Sequence, residues 1–154
     1  MIEIKTQSVQ ETMDMGFKLG TLLESGDIVC LSGNLGTGKT AFTNGIAAAL
    51  GISGYITSPT FTIFNEYKGN LPLYHFDAYR IADPEEMFEI GFEEYIDSNG
   101  VVIIEWPERI NDILPDSFIW VEIKKDLSKG TDTRNIFITF KGERYQACEG
   151  KWKG

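Results

Sequence analysis

The apolar run Asp27–Leu31 (DIVCL) passes through Ser32 into Gly33-Asn34-Leu35-Gly36-Thr37-Gly38-Lys39-Thr40, and this passage constrains the fold more than any other. It satisfies G-x-x-x-x-G-K-[ST] at every fixed position. A helix-forming stretch, Lys39–Leu50, follows and is ended by Gly51, so the context is buried strand, tight loop, helix. Glycines let such a loop fold back until successive N–H groups point inward. The helix adds its own first N–H groups and the positive end of its dipole. The product is a cradle for phosphate oxygens. Gly33, Gly36, Thr37, Gly38, Thr40 and Ala41 are expected to contact the phosphates, Lys39 to reach the β- and γ-phosphates, and the Thr40 hydroxyl to ligate Mg²⁺.

The flanking sequence predicts an α/β protein of the P-loop NTPase type, with a central, mostly parallel sheet between helices and antiparallel hairpins at the edge and C-terminus. Ile2–Thr6 reads as a strand. Ser8-Val9-Gln10-Glu11 has capping-box spacing, and Val9, Met13, Gly16, Phe17, Gly20 and Leu23 recur at helical intervals, predicting a helix to about Glu24. Phe61–Tyr67 and Leu71–Phe76 flank Lys68-Gly69-Asn70 as a hairpin. Asp83-Pro84-Glu85-Glu86 opens a helix that Gly91 should break before a second short one at Phe92–Ile96. Val101–Glu105 (VVIIE) reads as a buried strand parallel to Asp27–Leu31, and Phe118–Lys124 with Arg134–Phe140 as a final antiparallel pair. A chain of 154 residues without repeat or linker suits a single domain, 1–154.

A phosphate-bound Mg²⁺ needs a carboxylate at the end of a neighbouring buried strand, and Glu105 stands there. Asp77, closing Leu73-Tyr74-His75-Phe76, is a second candidate. It would position the attacking water or hold the metal through water, with a turn or capping role as the plain alternative. Lys39, Asp77 and Glu105 are therefore the candidate catalytic residues, and Thr40 and Glu105 the candidate metal ligands. Thr60, after Ser58-Pro59, is a candidate sensor of the γ-phosphate; Arg80 would pair with phosphate or with the acidic helix that follows. His75, the single histidine, is flanked by aromatics and reads as structural.

The net charge is −9, with −12 over residues 1–117 and +3 over residues 118–154. An acidic body is poorly suited to bind nucleic acid alone, since affinity for a polyanion comes largely from lysines and arginines that displace counterions. The basic C-terminal stretch reads first as the surface of an ordinary hairpin, with a small contact patch as the alternative. No run of 18 apolar residues predicts a membrane span, and the N-terminus lacks a secretory signal pattern. Cys30 lies in an apolar run and Cys148 in a polar tail, without a CxxC pair, so a reducing cytoplasm is expected.

Guanine specificity would require an N-K-x-D segment, which is absent. A small-molecule kinase using the same loop is the rival reading. It would want several arginines on a lid, whereas Arg80, Arg109, Arg134 and Arg144 are scattered. Hydrolysis coupled to a conformational change fits better.

The chain resembles the TsaE (YjeE) family of small bacterial ATPases. The resemblance rests on Gly33–Thr40, Ser58-Pro59-Thr60-Phe61, His75-Phe76-Asp77-Ala78-Tyr79-Arg80 and Ile104-Glu105-Trp106-Pro107-Glu108-Arg109, in that order, and spans nearly the whole chain. It implies ATP and Mg²⁺ at the loop, with Thr40 and Glu105 on the metal, Asp77 important for hydrolysis, Trp106 close to the nucleotide and Thr60 in a switch segment. Adenine contacts are implied near Val9, Glu108 and Gly130-Thr131. It further implies action with TsaD and TsaB in forming N6-threonylcarbamoyladenosine at position 37 of tRNAs reading codons that start with A. The ATPase would reset or regulate that complex, and tRNA would be met indirectly. The family commonly has Asp where this chain has Asn34. Finally, Asp83 to Asp97 holds seven acids interleaved with Met87, Phe88, Ile90, Phe92, Tyr95 and Ile96. This stretch is either a docking face for a partner or a helix pair with a buried stripe.

Overall fold

A computed structural model describes every residue except Leu35, Ser58 and residues 60–62. Thr60, the proposed sensor, therefore lies outside the described residues. Seven strands form one sheet: β1 (Ile2–Thr6), β2 (Ile28–Ser32), β3 (Phe64–Tyr67), β4 (Leu73–Asp77), β5 (Val101–Glu105), β6 (Phe118–Lys125) and β7 (Arg134–Lys141). Their order is β1-β7-β6-β2-β5-β4-β3. The four central strands β6, β2, β5 and β4 are mutually parallel; β1, β7 and β3 add at the edges in antiparallel pairings. The sheet is thus mixed, parallel only in the centre where helical crossovers link the strands.

Strand periodicity divides the core in two. Val29, Leu31, Val101, Ile103, Val121 and Ile123 point to one face, under α1 (Val9–Gly20), α2 (Lys39–Ala49) and α5 (Gln146–Lys153). Cys30, Phe76, Val102 and Ile104 point to the other, under α3 (Glu85–Glu89), α4 (Phe92–Ile96) and a 3-10 helix, Pro107–Ile113. The four parallel strands β2, β4, β5 and β6 carry almost unbroken apolar runs because both faces are covered.

Local chemistry sets the element ends. The Ser8 hydroxyl accepts from Glu11 N at 3.0 Å and starts α1, and Glu11 returns a contact to Gln7 N rather than to Ser8. That helix stops at Gly20, short of the expected Glu24, because residues 21–22 turn and Asp27 Oδ2 takes the Glu24 N–H at 2.7 Å. Gly91, at φ 82°, separates α3 from α4 as expected. The sequence pattern missed both the 3-10 helix and α5. Cys148 does not lie in a polar tail: α5 buries it with Trp152 against the first core, and the Lys18 ammonium sits 4.3 Å over the Trp152 ring. Burial pushes the Cys148 thiol up to about 11.

What fixes α2, and with it the loop that precedes it, is its closeness to α1. Gly16 and Gly45 sit where the helices cross. A Cβ on Gly45 would overlap the Met13 carbonyl, and one on Gly16 the Phe42 carbonyl. Replacing Gly45 by Ala is expected to force the helices apart and destabilise the fold by about 1–3 kcal/mol, the usual range for overpacking. Urea unfolding of the variant checks this, and an unchanged midpoint would show that the crossing is loose.

Candidate functional site

The loop leaves β2 at its C-terminal end, at the centre of the sheet. Gly36 and Gly38 adopt φ 76° and 109°, conformations closed to most side chains, so the turn requires glycine there. Thr37 closes the loop on itself, its N–H and its hydroxyl both donating to Asn34 O, at 3.3 and 2.9 Å. Arg134 of β7 braces it from behind. Its Nε donates to Thr37 O at 2.6 Å, and its Nη1 donates to Thr131 O and Thr133 O at 2.7 and 3.1 Å. The guanidinium takes a loop carbonyl and no loop N–H group.

Parallel pairing brings the carboxylates to the same edge. Leu31 lies opposite Glu105 and Glu105 opposite Asp77, one row across β2, β5 and β4. Asp77 Oδ1 accepts from Tyr79 N at 2.9 Å, and Asp77 N donates to Ile63 O at 2.8 Å. Glu105, only 3% exposed, meets His75: Nε2 and Oε2 stand 2.6 Å apart. His75, read as structural, is thus part of the site. Strand alternation could have revealed it, since a residue two before Asp77 shares its face.

Lys39 opens α2 and is 5% exposed. Its Nζ donates to Gly33 O at 2.7 Å and lies 4.1 Å over the Trp106 ring. Burial lowers its pKa, while the charges of Glu105, Asp77 and Glu108 act to raise it. Trp106 takes φ 57°, rare for a bulky residue. Pro107 disfavours the right-handed helical region for its predecessor, and the chain must turn sharply from β5 into the 3-10 helix. The indole then packs on Tyr79 at 4.9 Å, and the Arg109 guanidinium lies 5.5 Å from the Tyr79 ring. Two aromatic rings, tilted by 51° to each other, therefore lie between two cations.

The loop borders two clefts. The smaller, about 390 Å³, gathers Lys39, Thr40, Asp77, Glu105, Trp106 and Arg134, with Val9 at its edge. The larger, about 460 Å³, lies between the loop, Glu108 and the end of β6, and holds neither Lys39 nor the β4 and β5 carboxylates. The smaller one gathers Lys39 together with both strand-end carboxylates. Of the residues expected to touch a cofactor, Gly33 and Thr37 border only the larger cleft, as does Glu108, while Trp106 borders both. Ala41, half-buried in the first turn of α2, and Gly130 with Thr131 line neither. Asn34 is exposed at the rim of the larger cleft.

Hydroxyl and carboxylate oxygens suit a hard divalent cation. Among the described residues no group of three or more His, Cys, Asp or Glu is placed to hold a metal alone. Thr40, Glu105 and Asp77 bring such oxygens to the lining of the smaller cleft. Of the other arginines, Arg144 pairs with Asp27 at 2.9 Å, and Arg80 is exposed in the turn after β4.

The fold and the site define an α/β protein with convergent polar groups at the carboxyl ends of parallel strands, the usual place for a ligand in such sheets. The family model "Threonylcarbamoyl adenosine biosynthesis protein TsaE" matches residues 6–136. The chain belongs to the TsaE family. It is 41% identical over 147 residues to the tRNA threonylcarbamoyladenosine biosynthesis protein TsaE of Bacillus subtilis, covering 94% of this chain and 90% of that one. The Treponema pallidum protein of the same name is 44% identical over 119 residues, covering 77% and 88%. The solved crystal structure of YdiB from Bacillus subtilis superposes with a TM-score of 0.84 at 35% identity, over 99% of this chain and 93% of that one.

Arg134→Ala is expected to free the Thr37 carbonyl and speed hydrogen exchange of the Thr37 amide, which donates to Asn34 O, by roughly tenfold or more, the worth of a charged hydrogen bond of ~1.5 kcal/mol. Exchange mass spectrometry reads this, and unchanged protection would remove Arg134 as the brace.

Proposed function

We propose that this chain is a P-loop ATPase, binding and hydrolysing ATP with Mg²⁺ in the formation of N6-threonylcarbamoyladenosine on tRNA. It works with TsaD and TsaB and has a regulatory or resetting role. The observation that carries the reading is the convergence of Lys39, Thr40, Asp77 and Glu105 beside a glycine loop, in a chain of the TsaE family. A place in the cytoplasm follows from this reading. No helix among the described residues is long and apolar enough to cross a membrane.

Each group has a defined task. The amides of Gly36, Thr37, Gly38 and Lys39, with those of Thr40 and Ala41, would bind phosphate oxygens at the start of α2. Lys39 would exchange the Gly33 carbonyl for the β- and γ-phosphates; its partial desolvation strengthens that contact. Thr40 and Glu105 would hold magnesium, which supplies charge neutralisation at the transferring phosphate when bound. Asp77, set beside Glu105 in the same row, would orient the attacking water or a metal-bound one. Trp106 would shield the site with the lysine side chain already against its face. Thr60 keeps its proposed sensing role, and Val9, with Glu108, its place near the base.

The acidic segment splits into two kinds of surface. Met87 and Phe92 are buried, so much of the apolar stripe is core. Phe88 and Ile90, however, are 41% and 36% exposed among Glu85, Glu86 and Glu89. This face is the proposed contact for the TsaD–TsaB pair, through basic and apolar side chains on the partner; tRNA, a polyanion, would be repelled from it.

Lys39→Ala is expected to lower ATP turnover, measured with TsaD and TsaB present, by roughly 100-fold or more. A variant as fast as wild type would end the proposed mechanism. Glu105→Ala should lose magnesium-dependent turnover, and retention would move the metal to another ligand. Reversing Glu85, Glu86 and Glu89 to Lys should weaken partner binding in a pull-down titration while circular dichroism shows the fold retained. Equal affinity would place the contact elsewhere.

A further inference from the structure

The carboxylate assigned to the metal is itself held. His75 lies opposite Ile103 and Asp77 opposite Glu105, so His75 and Glu105 are diagonal neighbours on one face of adjacent parallel strands. Their contact, His75 Nε2 to Glu105 Oε2, is 2.6 Å, with His75 1% exposed. Among the described residues Glu105 has no other side-chain hydrogen bond. The second ring nitrogen, Nδ1, is buried with no hydrogen-bond partner among the described residues. A buried N–H left unpaired costs more than an unused lone pair, so the proton belongs on Nε2, donating to the carboxylate.

The strand around His75 is pinned. Tyr74 and Phe76 point to the opposite face, where their rings pack with Phe64, Phe92 and Tyr95 at centroid distances of 4.7 to 6.4 Å. The imidazole is therefore a fixed donor aimed at a buried glutamate.

We propose that His75 is the positioning residue of the metal site. Its Nε2–H fixes one oxygen of Glu105 and so sets the rotamer in which the carboxylate is presented to the Mg²⁺ that enters with nucleotide. The inference rests on the nucleotide-and-magnesium reading above. An unrestrained glutamate would have to be ordered when the metal binds. A glutamate already hydrogen-bonded to a buried ring is ordered when the chain folds. Outer partners of this kind typically change metal affinity by about 10–100-fold when removed.

The test compares His75→Phe, which keeps a ring but removes the donor, with His75→Gln, whose side-chain N–H can take the place of Nε2–H. Mn²⁺ binding in the presence of ATP is followed by electron paramagnetic resonance, and circular dichroism verifies the fold. The Mg²⁺ dependence of turnover is split into KM for the metal and kcat. The expected result is roughly 10–100-fold weaker Mn²⁺ binding and a raised metal KM for His75→Phe, with recovery in His75→Gln. Equal Mn²⁺ affinity in wild type and His75→Phe overturns the proposal, and so does an equal loss in both variants, since bulk rather than the donor would then matter. Should His75→Phe fail to fold, His75→Asn, too short to reach Glu105, takes its place under the same criteria. Wild-type protein that binds no Mn²⁺ with ATP overturns the nucleotide reading itself, a result distinct from the other two.

Discussion

The parallel pairing of β2 with β5 and of β5 with β4 holds the site together. Its register places Leu31, Glu105 and Asp77 in one row at the edge where the glycine loop leaves β2. A slip of one residue in either pairing would turn Glu105 or Asp77 to the opposite face, away from Lys39. The register is in turn enforced by the two cores, because Ile103 and Ile104 must each find their own layer. Burial of apolar residues far from the chemistry thus decides where the chemistry sits.

Around that row the site is built from contacts that each restrict one group. Arg134 holds the back of the loop, His75 holds Glu105, and the Trp106 ring and Gly33 carbonyl hold Lys39. The left-handed backbone at Trp106 carries a cost of order 1–3 kcal/mol for a residue that is not glycine. Packing against Tyr79 and Lys39 helps to offset it.

The sequence made much of the fold legible. The pattern of glycines and apolar runs predicts β1, β2, α2, β5 and the β6–β7 pair to within a residue or two, and the break at Gly91. These elements are dictated locally, by periodicity and by residues with few backbone choices. The 3-10 helix and α5 escaped because their signals are weak: a proline-led turn without periodicity, and a polar segment whose Cys148 and Trp152 are apolar only where they meet the first core. The end of α1 falls short because Asp27, three residues beyond Glu24, captures the Glu24 N–H in a local turn that the helical periodicity does not register.

The same division applies to the site. The placing of Asp77 and Glu105 at strand ends, and of Lys39 and Thr40 at a helix start, was readable because apolar runs and a glycine-rich motif mark those boundaries locally. That these groups converge, that His75 is the partner of Glu105, and that Arg134, 97 residues from Thr37, braces the loop were decided only by tertiary structure. Sequence fixes what each short segment can do, since backbone preference and side-chain chemistry are local. Which distant side chains share a buried hydrogen bond depends on strand order and register, which emerge only when the whole apolar surface is packed at once.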